Sequence, residues 1–158
     1  MAHAKGHMTR IILEGESLHR ISALQEADRA QAVHDLQMEN QFYPLAYPDL
    51  QSILHLSIQE GRLVFDIRDA NDQPVLALML ALGPFRMLIR DYQMLLDSYA
   101  QAVAEGREAR IQAIDMGRRG LHNEGAELMM ERLGGKVAID FSTARRLFTL
   151  VCALHQKL

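Results

Sequence analysis

The densest run of chemically capable side chains is Asp115 to Glu124, D-M-G-R-R-G-L-H-N-E. Arg118 and Arg119 carry forked guanidinium donors that match the geometry of a carboxylate or a phosphate. His122 exchanges its proton nearest neutral pH, and Asn123 and Glu124 add an amide and a carboxylate beside it. On a helix, residues four apart share a face, which pairs Asp115 with Arg119 and sets Arg118 beside His122. Gly117 and Gly120 stand three apart in the same run. Each glycine inside a helix costs about 1 kcal/mol relative to alanine. A close backbone approach, or a loop, would offset that. A second arginine pair, Arg145 and Arg146, lies near the start of a later helix, where positive charge opposes the helix dipole. An acidic partner or a bound anion would relieve it. The two pairs are therefore expected to be neighbours in one basic pocket.

These residues support several functions. The first is an accessory or regulatory module that recognises an anionic ligand or a protein partner. Its site would comprise Asp115, Arg118, Arg119, His122, Asn123, Glu124, Arg145 and Arg146, with Gly117 and Gly120 admitting a close backbone. The second is an enzyme acting on a phosphorylated or carboxylated small molecule, with His122 or Glu124 moving a proton and the arginines as a clamp. The third is RNA binding, because Gly117-Arg118-Arg119-Gly120 has the form of the G-x-x-G loop with which KH domains hold a nucleic-acid backbone. Asn123 departs from that motif, where an apolar residue is usual. Against all three stands a structural reading: small residues let another helix pack close, and the arginines form interface salt bridges. Binding rather than chemistry is the expectation, with nucleic acid a lesser partner.

Other chemistry is sparse. No H-E-x-x-H, C-x-x-C, P-loop or G-x-G-x-x-G occurs, so neither a metal nor a cofactor is expected. Cys152 and His155 stand three apart on the last helix, but Cys152 lies among Val151, Ala153 and Leu154 and reads as core. Asp66 and Arg68 share a strand face and are expected to pair. His3 and His7 have metal-like spacing within a segment that reads as a tail.

The elements that must position these groups belong to one chain of 158 residues, enough for a single domain. Hydrophobic residues make up 49% and charged residues 23%, a globular composition. A net charge of -3 excludes a generally basic nucleic-acid coat. A single cysteine excludes an internal disulfide and suits a reducing cytoplasm. The longest apolar run, Val75 to Leu82, is far too short to span a membrane.

Residues 1–8 read as a tail or expression scar and 9–158 as one α+β domain. Arg10 to Glu14 is a short strand and Ser22 to Asn40 a helix, with Ser22 as cap and Gln25 as its capping-box partner. The helix stripe runs through Ala30, Val33 and Leu36. Phe42 to Leu50, with Pro44 and Pro48, reads as a loop. Three antiparallel strands follow, Ile53 to Gln59, Arg62 to Arg68 and Val75 to Leu82, the first two joined by Glu60-Gly61. Val75 to Leu82 is apolar on both faces, as in a central or doubly covered strand. Phe85 to Val103 carries the strongest helical periodicity, and its methionines, Met87 and Met94, read as core. Glu108 to Leu133 is helical but for its glycines, Val137 to Phe141 a short strand, and Thr143 to Gln156 a helix capped by Ser142. The fold expected is an antiparallel sheet of three to five strands with about four helices, mostly on one face.

Four segments carry a family resemblance: RLVFDIRD (62–69), LGPFRMLIRDY (82–92), IDMGRRGLHNE (114–124) and GKVAIDFSTARRLFTLVCALH (135–155). They resemble the bacterial uncharacterised protein family 0262, in order across most of the chain. The resemblance implies a small cytoplasmic bacterial protein and supplies no catalytic residue.

Overall fold

The computed structural model describes residues 6–15 and 22–155. Strand β1 (His7–Leu13) leads to helix α1 (Ala23–Met38), then β2 (Phe42–Pro44), β3 (Gln51–Gln59), β4 (Arg62–Arg68) and β5 (Pro74–Ala81). Helices α2 (Gly83–Ala104) and α3 (Glu108–Leu133), strand β6 (Val137–Ile139) and helix α4 (Phe141–Leu154) complete the order. β1 takes in His7 and Met8, which the sequence assigns to the tail. His3 and Gln156 lie outside the described residues.

The main sheet has the order β1-β3-β4-β5. β3, β4 and β5 form the expected antiparallel meander. Glu60 (φ 52°) and Gly61 (φ 74°) both adopt the left-handed conformation that a tight two-residue hairpin requires. The sheet is mixed, however, not purely antiparallel: β1 runs parallel to β3. Parallel neighbours need a long crossover, and α1 lies in it. The loop expected at Phe42 to Leu50 is partly a strand, since Phe42, Tyr43 and Pro44 pair antiparallel with Ile139, Ala138 and Val137. Pro44 is tolerated at the end of this two-stranded ribbon, where few ladder bonds are needed. The α+β class stands.

The helices gather on the apolar face of the sheet, where Leu54, Leu56, Leu63, Phe65 and Ile67 are wholly buried with Phe85 and Phe148. The other face carries charged and polar groups of β3 and β4. Arg68 donates to Asp66 Oδ2 at 2.8 and 3.0 Å, as expected, and to Asp72 Oδ2 at 3.0 Å. His55 bridges Glu14 and Asp72 with its two ring nitrogens at 2.6 and 2.9 Å.

Caps depart from expectation in instructive ways. Ser22 Oγ accepts from the Gln25 amide N–H, so Ser22 caps α1. The Gln25 side chain does not return to close a capping box; it turns inward and donates to the Cys152 carbonyl at 3.1 Å. Asp140, not Ser142, caps α4 by accepting from Thr143 N. α2 buries Phe85, Ile89, Tyr92 and Leu96 but leaves Met87 and Met94 67% and 61% exposed, so these methionines are surface rather than core. No helix among the described residues is long and apolar enough to cross a membrane.

Candidate functional site

α3 is one helix of 26 residues, continuous through Gly117, Gly120 and Gly125. The G-R-R-G segment is therefore helical, and the loop that a KH-like clamp requires does not form. A helix also separates neighbouring residues by about 100°. The run Asp115 to Glu124 is accordingly divided among three directions.

The first direction is inward. Arg118 and His122 sit one turn apart, and Arg118 reaches a carboxylate that the sequence did not single out, Asp28 on α1. Arg118 Nη1 donates to Asp28 Oδ1 and Oδ2 at 2.6 and 2.8 Å, and Nη2 donates to Asp115 Oδ1 at 3.1 Å. The Tyr92 hydroxyl, from α2, donates to Asp28 Oδ2 at 2.6 Å. The side chains of Arg118 and Asp28 are only 17% and 15% exposed. Burial works against the Arg118 charge, but Asp28 and Asp115 together outweigh that and raise its hold on the proton. Burial, then the Asp28 charge, pushes the Tyr92 phenol above its ordinary range. Cys152 on α4 is fully buried near the same carboxylate, and burial raises its thiol well above the usual value, as befits a core residue.

His122 is packed between Tyr92 and Phe148, with ring centroids 5.1 and 6.4 Å away. Burial lowers its pKa to about 4; Asp28 pulls the other way, and Arg145 and Arg118 add to the lowering. The imidazole is thus neutral in the folded protein across the physiological range. Below about pH 6.5 the unfolded chain takes up a proton that folded His122 refuses until about pH 4. Stability must fall as pH falls through that window, by on the order of 3 kcal/mol in all, and be indifferent to this group above it. As pH falls from 6.5 to 4, urea titrations should show the wild type losing this stability relative to His122→Phe. Curves that stay parallel would contradict a neutral buried imidazole.

The second direction is toward α4 and α1. Arg145 Nε donates to Asn123 Oδ1 at 3.2 Å, the only hydrogen bond of its guanidinium among the described residues. Burial lowers the Arg145 pKa, and the charges of Arg146, Arg118 and Arg119 lower it further, with Asp28 opposing. The charges of the two arginine pairs thus reach one another, although Arg118 itself turns inward to Asp28. Arg146 has Asp35 of α1 at 3.7 Å, the acidic partner its place near a helix start calls for. Arg119 is exposed on the same flank.

The third direction is toward α2. Gly117, Gly120 and Glu124 face Asp91, Met94 and Leu95 across a shallow, mostly apolar groove of about 490 Å³. A Cβ on Gly117 would come within 3.3 Å of Leu95, so that glycine does admit a close neighbour; one on Gly120 would meet nothing. His122 and Glu124 therefore do not face one cleft. No group of three potential metal ligands occurs among the described residues.

Arg118 is committed to Asp28 and Asp115, which removes it from the expected anion clamp. Asp28 and Tyr92 are the residues the sequence reading missed. The signal lay on α1, where Gln25, Asp28, Ala32 and Leu36 fall at helical spacing on the inner stripe; a stripe through Ala30, which is exposed, passes Asp28 by.

A family model described as "Uncharacterised protein family (UPF0262)" matches residues 5–157. The chain belongs to that family. Among its relatives is a UPF0262 protein of Acidiphilium cryptum, 64% identical over 156 residues, which cover 99% of this chain and 96% of the relative. One from Granulibacter bethesdensis is 63% identical, covering 98% of this chain and 93% of its own. One from Maricaulis maris is 45% identical, covering 99% and 98%. No solved structure matches. The UPF0262 relatives carry no activity in their names, so function must be argued from the site.

Proposed function

We propose that this UPF0262 protein is a small cytoplasmic accessory module that binds an anionic group, a phosphate or a carboxylate, on the flank formed by Arg119, Asn123, Arg145 and Arg146. The observation that carries this reading is Arg145. Its guanidinium is partly withdrawn from water and crowded by three other arginines, yet among the described residues it holds a single amide contact, to Asn123. A desolvated cation of this kind gains from an anion, and its unused Nη donors are suited to oxygen pairs. Behind it, Arg118 and Asp28 neutralise each other and fix α3 against α1. Their role is to hold the flank, not to touch ligand.

Isothermal titration with inorganic phosphate, pyrophosphate and phosphorylated metabolites tests this. Binding should weaken with salt. It should fall about 10- to 100-fold in Arg145→Ala, the range expected for loss of a charge-assisted contact. Arg119→Ala should add to the loss, whereas Glu124→Ala, facing the other groove, should leave affinity unchanged. An Arg119→Ala, Arg145→Ala pair that binds as wild type would exclude the flank.

A further inference from the structure

The two edges of the main sheet are finished differently. At the β1 edge, Asn40 takes the place of a further strand: its Nδ2 donates to Met8 O at 2.8 Å and its Oδ1 accepts from Met8 N at 2.8 Å. Helix α1 packs on β1, the register shifts between Met8 and Arg10, and Arg10 adds charge. These are the devices that close an edge to further pairing.

β5 has fewer of them, and only at its start: Pro74 and the extra residue Val75, where the register with β4 shifts. It reads P-V-L-A-L-M-L-A, eight residues without a charge, and it is paired with β4 alone. The Leu82 N–H donates to Gly61 O at 3.1 Å, which fixes the phase of the ladder. Leu76, Leu78 and Leu80 aim their backbone groups at β4; Ala77, Met79 and Ala81 turn theirs outward. Those three residues are exposed, Met79 by 57%. An open row of amides and carbonyls flanked by apolar side chains is a template for one kind of partner, an extended strand.

We infer that β5 pairs antiparallel with β5 of a second copy of this chain, joining the two four-stranded sheets into one across a two-fold axis. The uncharged strand meets itself without like charges in register. Its ends are complementary. Beyond Pro74 lies the turn where Asp69 and Asp72 outnumber Arg68. At the other end, Arg62, opposite Ala81, and Arg86, which reaches the hairpin at Gly61, outnumber Glu60. Antiparallel pairing sets the acidic end of each copy beside the basic end of the other; parallel pairing would set like against like. Both open edges are consumed and β1 is closed, so assembly stops at two.

Sedimentation equilibrium of the full chain at micromolar concentration should give twice the 17.9 kDa monomer mass. Ala77→Lys with Met79→Lys should halve it, as should Ala77→Glu with Met79→Glu. An equimolar mixture of the two variants should restore the doubled mass. Both positions are exposed, so circular dichroism should show either variant folded. Hydrogen exchange on the wild type serves if one is not: the amides of Ala77, Met79 and Ala81 should be protected. A monomeric wild type, a lysine variant that stays dimeric, a mixture that stays monomeric, or rapid exchange at those three amides would each overturn the inference.

Discussion

Asp28→Ala should be the most damaging polar substitution in the molecule, costing about 3–5 kcal/mol, the range for breaking one side of a buried ion pair. Total stability for a domain of this kind is about 5–15 kcal/mol, so the variant should be largely unfolded or close to it. The cost arises from what is left behind. Arg118 would keep its charge at 17% side-chain exposure with only Asp115 to answer it, at 3.1 Å. Tyr92 would keep a buried hydroxyl and lose the carboxylate that accepts its hydrogen bond. Truncating the acceptor strands two donors from two other helices, whereas truncating a donor strands less. Tyr92→Phe should accordingly cost about 1.5–3 kcal/mol, as for one bond to a charged group.

Urea denaturation of a double-mutant cycle separates the ion pair from mere packing. Asp28→Leu combined with Arg118→Met should recover most of the loss, because an apolar pair of similar volume carries no desolvation penalty. If the double variant is as unstable as the sum of the singles, the pair acts through shape and not through charge. A cost below about 1 kcal/mol for Asp28→Ala would place that carboxylate in solvent-like surroundings, against its geometry here.

Local pattern carried the fold where it was strong. The alternation in β3 and β4 and the stripe of α2 are set by which residues must leave water, and each survives in the structure. β5 shows where that reasoning stops. A strand apolar on both sides is usually central, but β5 is an edge, and its outward residues stay exposed. Composition records that a surface is apolar; it does not record what covers it. The parallel pairing of β1 was equally out of reach, because strand direction follows from a crossover, not from the strand's own residues.

The site was legible in part for a related reason. Spacing on α3 brought Arg118 and His122 to one face, which local periodicity can do. It did not reveal that Arg118 was already taken. That depends on Asp28, 90 positions earlier and on another helix. A buried ion pair needs both partners at once, and a single helix shows only one. The caps of α1 and α4 repeat the point on a small scale. Ser22 bonds three residues on and was readable, while the Gln25 side chain is drawn to a carbonyl on α4.

Gly125→Ala should be the most damaging small substitution, and its sign runs against helix propensity. In an exposed helix interior the change would add about 1 kcal/mol of stability. At Gly125 a Cβ would fall within the Phe148 ring. The obstacle is the body of a wholly buried aromatic, stacked on Phe85 at 6.4 Å and edge-on to His122, not the far end of a flexible chain. Accommodation requires α3 and α4 to part, and interiors packed at crystal density resist that. Overpacking of this kind costs about 1–3 kcal/mol and occasionally more; a net loss near the upper end is expected, read as a lower urea midpoint at unchanged slope. Gly120→Ala, five residues earlier on the same helix with open space around it, should shift the midpoint the other way. Phe148→Leu should recover part of the loss in the Gly125→Ala background by vacating the ring's place, though it destabilises the wild type. Gly125→Ala raising the midpoint as Gly120→Ala does would show that α3 and α4 are not in contact there. Opposite signs at the two glycines would show that helix packing on α4, not backbone flexibility, is what requires a glycine at 125.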